Sequence, residues 1–283
     1  MALVDFVQSI DFAYIVVNYW WYADFLTKIS TSRKVIITHD VWSQHIWRDN
    51  PKTPVLHDFS EEREFEELSK ATDLIAISEE DQRHFAVRHP RVHRIAPKSL
   101  FRKAPEGSEV TKDNIILFVG SKYAANVEGI KWFIDNCVPL IRASTDSFIV
   151  RVAGSVIEEL QTGIDLNGIE LLGIVENLQE EYDKASIVIV PILSGTGVKI
   201  KLIDALASGK AVVTTTPGIS GFSHCLRKHL MVRDGGIEFA ETVSEILSDS
   251  MLRNRLEVAS RRAYEDCLKD DCEQLFADTE DLD

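Results

Sequence analysis

Residues 186–218, SIVIVPILSGTGVKIKLIDALASGKAVVTTTPG, decide the fold. Ile187-Val188-Ile189-Val190 is an unbroken β-branched run, the pattern of a strand buried on both faces of a parallel sheet. Pro191 ends it, and Gly195-Thr196-Gly197 provides a backbone that can turn tightly and admit a close ligand. From Val198 the period becomes helical, with Val198, Leu202, Ala205 and Leu206 on one stripe and Lys201 and Asp204 on another. Gly209 suits the helix stop, and Ala211-Val212-Val213-Thr214 reads as the next buried strand. A helix that starts after a glycine turn presents unpaired N–H groups and the positive end of its dipole, a natural seat for phosphate. Lys199 and Lys201 add positive charge there, and Asp204 can accept hydrogen bonds from sugar hydroxyls. The plainer alternative is an ordinary crossover with solvated lysines. Two phosphate-binding motifs fail on spacing. The dinucleotide fingerprint needs glycine where Ile200 stands, and the Walker motif needs glycine where Asp204 stands.

The pattern P-x-x-x-G-x-G-x-K-x-K-x-x-D-A-L-A-S-G resembles the donor-site signature of the family-4 retaining glycosyltransferases, enzymes of the two-domain GT-B fold. Upstream, Leu117-Phe118-Val119-Gly120-Ser121 and Asn126-Val127-Glu128-Gly129-Ile130 resemble the opening strand and helix of the same domain. Gly173-Ile174-Val175-Glu176-Asn177-Leu178 is similar to the loop that lines the base. The resemblance runs over residues 113–221. It implies an α/β protein, GT-B-like, with a Rossmann-like doubly wound parallel sheet and a second, shortened α/β domain. By the same resemblance Asp204 holds the ribose, although the family usually has glutamate there, and Lys199 and Lys201 meet the diphosphate. Gly120, Ser121, Val175, Gly195, Thr196 and Gly197 complete the donor contacts. His39 follows Val35-Ile36-Ile37-Thr38 at the ligand edge of an open sheet. It matches a histidine that faces the donor sugar in that family, and it joins Lys199 and Lys201 as the catalytic group. No metal and no cofactor are implied, the nucleotide-sugar being a substrate. The expected acceptor is a glycan, lipid or protein hydroxyl.

Along the chain, residues 1–98 form a partial amino-terminal, acceptor-side domain, 99–112 a linker, 113–250 the donor domain, and 251–283 a terminal helix with an acidic tail. The amino half shows three apolar strand segments, near residues 13–17, 35–38 and 74–77, and a helix between Phe59 and Lys70. In the carboxyl half one helix is expected over 126–141. All 14 glycines lie at or after Gly107, so the glycine-rich loop that opens this family's first domain has no counterpart. On the resemblance, on the order of 100 residues, a small domain's mass, are missing from the front. Asn18-Tyr19-Trp20-Trp21-Tyr22 reads first as core packing, with sugar stacking as the alternative. The cations among Arg83, His84, Arg88, His89, Arg91, His93 and Arg94 read first as a helix end, with contact to anionic lipid as the alternative.

A net charge of −14 argues against general nucleic-acid binding, which needs a broad basic surface. Cys137, Cys225, Cys267 and Cys272 form no C-x-x-C pair, and four reduced thiols are expected. No apolar run reaches membrane-span length and the start lacks a basic n-region, so a cytoplasmic protein is expected. A peripheral contact with the inner membrane face and an oligomer or partner subunit through the amino half stay open. The primary expectation is retaining transfer from a nucleotide-diphosphate sugar. The alternatives are a catalytically incomplete subunit that binds nucleotide-sugar or supports a partner, and a different nucleotide-binding enzyme on a doubly wound sheet.

Overall fold

The computed structural model describes residues 2–31, 33–44, 60–99, 114–145, 147–160, 165–195, 197–222 and 224–268. The amino-terminal half contains α1 (Ala2–Gln8), β1 (Tyr14–Asn18), α2 (Ala23–Leu26), β2 (Arg33–Thr38), α3 (Glu61–Leu68), β3 (Asp73–Ala76), α4 (Glu79–Ala86) and β4 (Val92–Arg94). Its strands lie in the order β1-β2-β3-β4, and every pairing is parallel. The sheet therefore has four strands where three were expected. The extra one, Val-His-Arg, is short, polar and only half-buried, so it carries no apolar run to read. Ser60 and Ser78 cap α3 and α4, accepting from the amides of Arg63 and Asp81 at 3.2 and 2.9 Å.

The carboxyl half runs β5 (Ile115–Val119), α5 (Ala124–Asn136), α6 (Val138–Ser144), β6 (Ile149–Ala153), β7 (Ile169–Gly173), α7 (Leu178–Lys184) and β8 (Ile187–Val190). It continues with α8 (Ile200–Ala207), β9 (Ala211–Thr214), α9 (His224–Arg227), β10 (Met231–Val232), α10 (Gly236–Ser248) and α11 (Ser250–Cys267). The single helix expected over 126–141 is two. Pro139 lies in the first turn of α6, where its missing N–H costs nothing, but an unbroken helix would have needed that donor.

This sheet is parallel throughout, in the order β10-β9-β8-β5-β6-β7. Alternate residues of its central strands feed different cores. Ile116, Phe118, Ile187 and Ile189 pack on one face with Phe133 and Phe239. Leu117, Val188 and Val190 pack on the other with Leu202 and Leu206. Both faces are covered, which is why these strands are apolar without alternation. Each fully buried Val, Ile or Leu contributes about 1.5–3 kcal/mol. The chain steps outward from β5 through β6 to β7, then returns to lay β8 on the other side of β5. Ligands of open sheets bind at that reversal, outside the carboxyl ends of the strands.

The two halves are tied together behind the sheets. Ala96 packs with Ile203 of α8 and with Leu268, just past α11. The Ser99 amide donates to the Tyr264 hydroxyl at 3.2 Å. The terminal helix thus returns to the segment leaving the first domain. The thiols depart from expectation. Cys137 is free and buried, with its pKa pushed up to about 12 by desolvation, whereas Cys267 is disulfide-bonded. Sequence spacing alone gives no measure of which cysteines meet in space.

Candidate functional site

The carboxyl ends of β5, β6 and β8 open onto a cleft of about 680 Å³, with Asp40 and Trp42 of the amino-terminal half on its far wall. Gly120 and Ser121 follow β5, Gly154 and Ser155 follow β6, and Ile192, Ser194 and Gly195 follow β8. Val198, Lys199, Ile200, Lys201 and Asp204 extend the wall into α8. One close approach sets this geometry. A Cβ on Gly129 of α5 would meet the Pro191 carbonyl oxygen at 2.2 Å, so only glycine lets α5 lie against the end of β8.

The glycine turn is closed by its own lysine. Lys199 precedes α8 and its Nζ donates to the Gly197 carbonyl at 2.7 Å. Burial lowers its pKa to about 8, although Asp40, Asp81 and Glu80 of the amino-terminal half pull the other way. Lys201 points from the first turn of α8 toward α5, donates to Asn126 Oδ1, and lies 4.6 Å over the Phe118 ring. Burial, and then repulsion from Lys199, lowers its pKa to about 7. Two amines thus share a partly desolvated wall that carries less than its full positive charge at neutral pH, and an arriving anion would favour the charged form of both. One turn further, Asp204 accepts from the Ser99 hydroxyl at 2.7 Å, and burial raises its pKa.

Of the residues singled out from sequence, Gly120, Ser121, Gly195, Lys199, Lys201 and Asp204 line this one cleft. Val175 sits half-buried in the loop after β7 and is not on the wall. Thr196 lies outside the described residues. Gly197 lies behind the wall with φ +80°, and a Cβ there would come within 1.7 Å of Asp40 Oδ1. His39 faces Asn18 instead, its Nε2 3.2 Å from Oδ1, with its ring 4.3 Å from that of Tyr19. The wall position belongs to Asp40, the next residue, because successive residues at a strand end turn to opposite sides.

Asp40, Trp42 and Asn126 are among the wall residues that sequence reading did not single out, as are Tyr123, Gly154, Ser155 and Ser194. The signal for Asp40 was its place beside His39 at a strand end. For Asn126 it was the quoted helix-opening motif. Trp42 carried none, since its position depends on Glu64 of α3, whose carboxylate accepts from the amides of Trp42 and Ser43 at 2.8 and 3.0 Å. Among the cations near α4, Arg83 pairs with Glu79, while Arg91 and His93 meet buried Asp73 at 3.4 and 3.2 Å. The ring of Arg88's partner, Phe65, lies 4.8 Å from the guanidinium carbon.

Residues 113–249 match the family model of the Glycosyl transferases group 1. Solved structures of similar fold extend the likeness to both halves and are GT-B glycosyltransferases. TarM superposes with a TM-score of 0.74 at 11% identity, covering 99% of this chain and 57% of that one. HepE from Anabaena, solved with UDP, gives 0.68 at 14% identity and covers 99% of this chain and 80% of that one. Among curated proteins, an uncharacterized 44.6 kDa protein in the cps region of Klebsiella pneumoniae is 30% identical over 138 residues, 45% of this chain and 36% of that protein. The chain thus spans little more than half of TarM and about a third of the Klebsiella protein. Among the described residues no helix is long and apolar enough to cross a membrane.

Proposed function

We propose that the cleft binds a nucleotide-diphosphate sugar and that the protein transfers the sugar, with retention, to a hydroxyl of a glycan, lipid or protein acceptor. The observation that carries this reading is the convergence of Lys199, Lys201 and Asp204 on one cleft at the switch point of a sheet that matches this family. As the glycosidic bond breaks, the leaving diphosphate gains negative charge. Lys199, Lys201 and the amides opening α8 stabilise it, and more strongly in a partly desolvated wall than in water. Asp204 holds the ribose, since the bond it now accepts from the Ser99 hydroxyl is of the kind a sugar hydroxyl donates. His39 contacts the sugar from the amino-terminal side once the cleft closes on its substrate, and Gly120, Ser121 and the turn from Gly195 to Gly197 lie along the phosphates. Val175 is the base-side contact. No cofactor enters the reaction.

The test begins with thermal-shift screening of UDP, GDP and ADP, because ligand that binds only the folded state raises the midpoint. With the base identified, Asp204→Ala should weaken the nucleotide about 10- to 100-fold, the worth of one charge-assisted hydrogen bond. Unchanged affinity by calorimetry would remove Asp204 from the site.

A second reading is favoured by one surface. Among the described residues β1 is the edge of its sheet; its Tyr14 and Val16 are exposed, as are Leu3 and Phe6 of α1. Such an edge invites pairing with a further chain or segment. In this reading the chain binds donor, turns over little by itself, and associates through its amino half. Radiolabelled transfer and light scattering on the same preparation separate the two. Robust turnover by a monodisperse 31.9 kDa monomer rules the second reading out.

A further inference from the structure

Of the aromatic run after β1, Trp20 packs half-buried against the amino-terminal core, but its neighbours do not. None of Trp20, Trp21 and Tyr22 is buried, and Trp21 and Tyr22 keep 41% and 54% of their surface exposed. The rings are ordered nonetheless. Tyr19 and Trp21 stack with centroids 4.1 Å apart and planes within 13°. Trp21 meets Trp42 edge-on at 5.3 Å, and Tyr19 leans on His39.

Backbone strain maintains this arrangement. Tyr19 has φ 68° and ψ 153°, a region almost confined to glycine, and it is the one non-glycine residue of positive φ among those described. Strain of this kind costs on the order of 1–3 kcal/mol and persists where the surroundings over-determine it. Here the Tyr19 amide still pairs with the Ile37 carbonyl at 2.9 Å, so the strain lies in how the chain leaves the sheet. It turns rings that could have packed inward onto the carboxyl edge of β1 and β2. The stack also continues into the cleft, because Trp42 belongs to both.

We propose that Tyr19, Trp21, Tyr22 and Trp42 form a platform for a pyranose ring of a neutral glycan, an acceptor subsite beside the donor cleft. This rests on the reading of the cleft as a nucleotide-sugar site. A pyranose presents an apolar C–H face that stacks on aromatic rings and a rim of hydroxyls that needs polar partners. Asn18 and His39, held together at the platform's margin, supply such partners. The groups nearest the platform rings are acidic or neutral. The Asp40 carboxylate is on the adjoining wall, and burial lowers the His39 pKa, so its ring is uncharged at neutral pH.

The experiment titrates the full chain with neutral gluco-, galacto- and N-acetylglucosamine tetrasaccharides, read by tryptophan fluorescence and calorimetry, with UDP titrated in parallel. At least one tetrasaccharide should bind and change the emission. Trp21→Ala and Tyr22→Ala should each weaken it about 2- to 10-fold, the worth of an aromatic contact, and leave UDP unchanged. Trp21→Phe should restore most of the loss, which a collapsed loop would not. Binding indifferent to both alanine variants overturns the proposal, and so does the absence of binding by all three tetrasaccharides. A blue shift that grows with protein concentration and disappears in Trp21→Ala would give the platform to a second copy, and also overturns it. Failure of UDP alone, with Trp21-dependent tetrasaccharide binding intact, sinks the donor reading while upholding the platform.

Discussion

Strands β8 and β1 are both short, parallel and rich in branched residues, and their sheets open onto the same cleft. Every residue of β8 is buried, whereas β1 alternates exposed and half-buried residues. The difference is position. β8 lies between β9 and β5 with helices over both faces, while among the described residues β1 pairs only with β2. The carboxyl sheet is therefore a framework covered on both faces, and the amino sheet leaves part of β1 exposed.

The sharpest contrast is in stability. Ile189→Ala removes a fully buried side chain from β8 and should cost about 2–5 kcal/mol in urea unfolding. Val16→Ala in β1, where the valine is 42% exposed, should stay within about 0.5 kcal/mol. A Val16→Ala loss comparable to that of Ile189→Ala would mean that β1 is covered in solution and would break the comparison.

The same contrast explains what the sequence could tell. β5, β8 and β9 were legible because burial on both faces leaves a continuous apolar run, and the turn and α8 were legible from glycine, proline and period. β4 was not, since Val92-His93-Arg94 sits half-buried at an edge where polar residues cost little. The break between α5 and α6 hung on one proline. In the candidate site, Lys199, Lys201 and Asp204 belong to one local unit, so their convergence could be read from spacing. The placing of Asp40 rather than His39 on the wall depends on how a second sheet faces the first, which no local pattern encodes. The aromatic run misled for a related reason. The large apolar area of Trp and Tyr favours burial, yet Trp21 and Tyr22 stay exposed where the chain leaves β1 with the strained φ of Tyr19.

Where the two halves meet, Gly197 sharpens the comparison. Its φ of +80° and the carboxylate of Asp40 together exclude a side chain. Gly197→Ala should cost about 1–3 kcal/mol through strain and clash. Adding Asp40→Ala should recover the clash portion but not the φ portion. Full additivity of the two losses, read by a double-mutant cycle in urea unfolding, would show that the halves do not touch there.

The last contrast is in pH, and here the two halves oppose each other. Asp81 of the amino half has its pKa raised to about 6, chiefly by burial. Its unfolded form binds fewer protons between about 4 and 6, so its contribution to stability is present in acid and lost as pH rises through that window. Lys199 and Lys201 have pKa values lowered to about 8 and 7 from 10.5. For them the unfolded chain binds more protons above about 7, and stability rises with pH toward 10.5. A nucleoside diphosphate reverses the carboxyl-side trend, because it binds the charged amines and draws protons onto them. Its affinity should fall as pH rises above about 7, by at most about tenfold per unit for each lysine that must recharge, and more steeply above about 8 where Lys199 also loses its proton. Calorimetry in buffers of different ionisation enthalpy should register proton uptake on binding. Lys201→Arg, whose guanidinium stays charged, should flatten the part of the profile nearest pH 7 and leave the Asp81 arm of the stability curve alone. A pH-independent affinity across this range would mean that neither amine meets the phosphates.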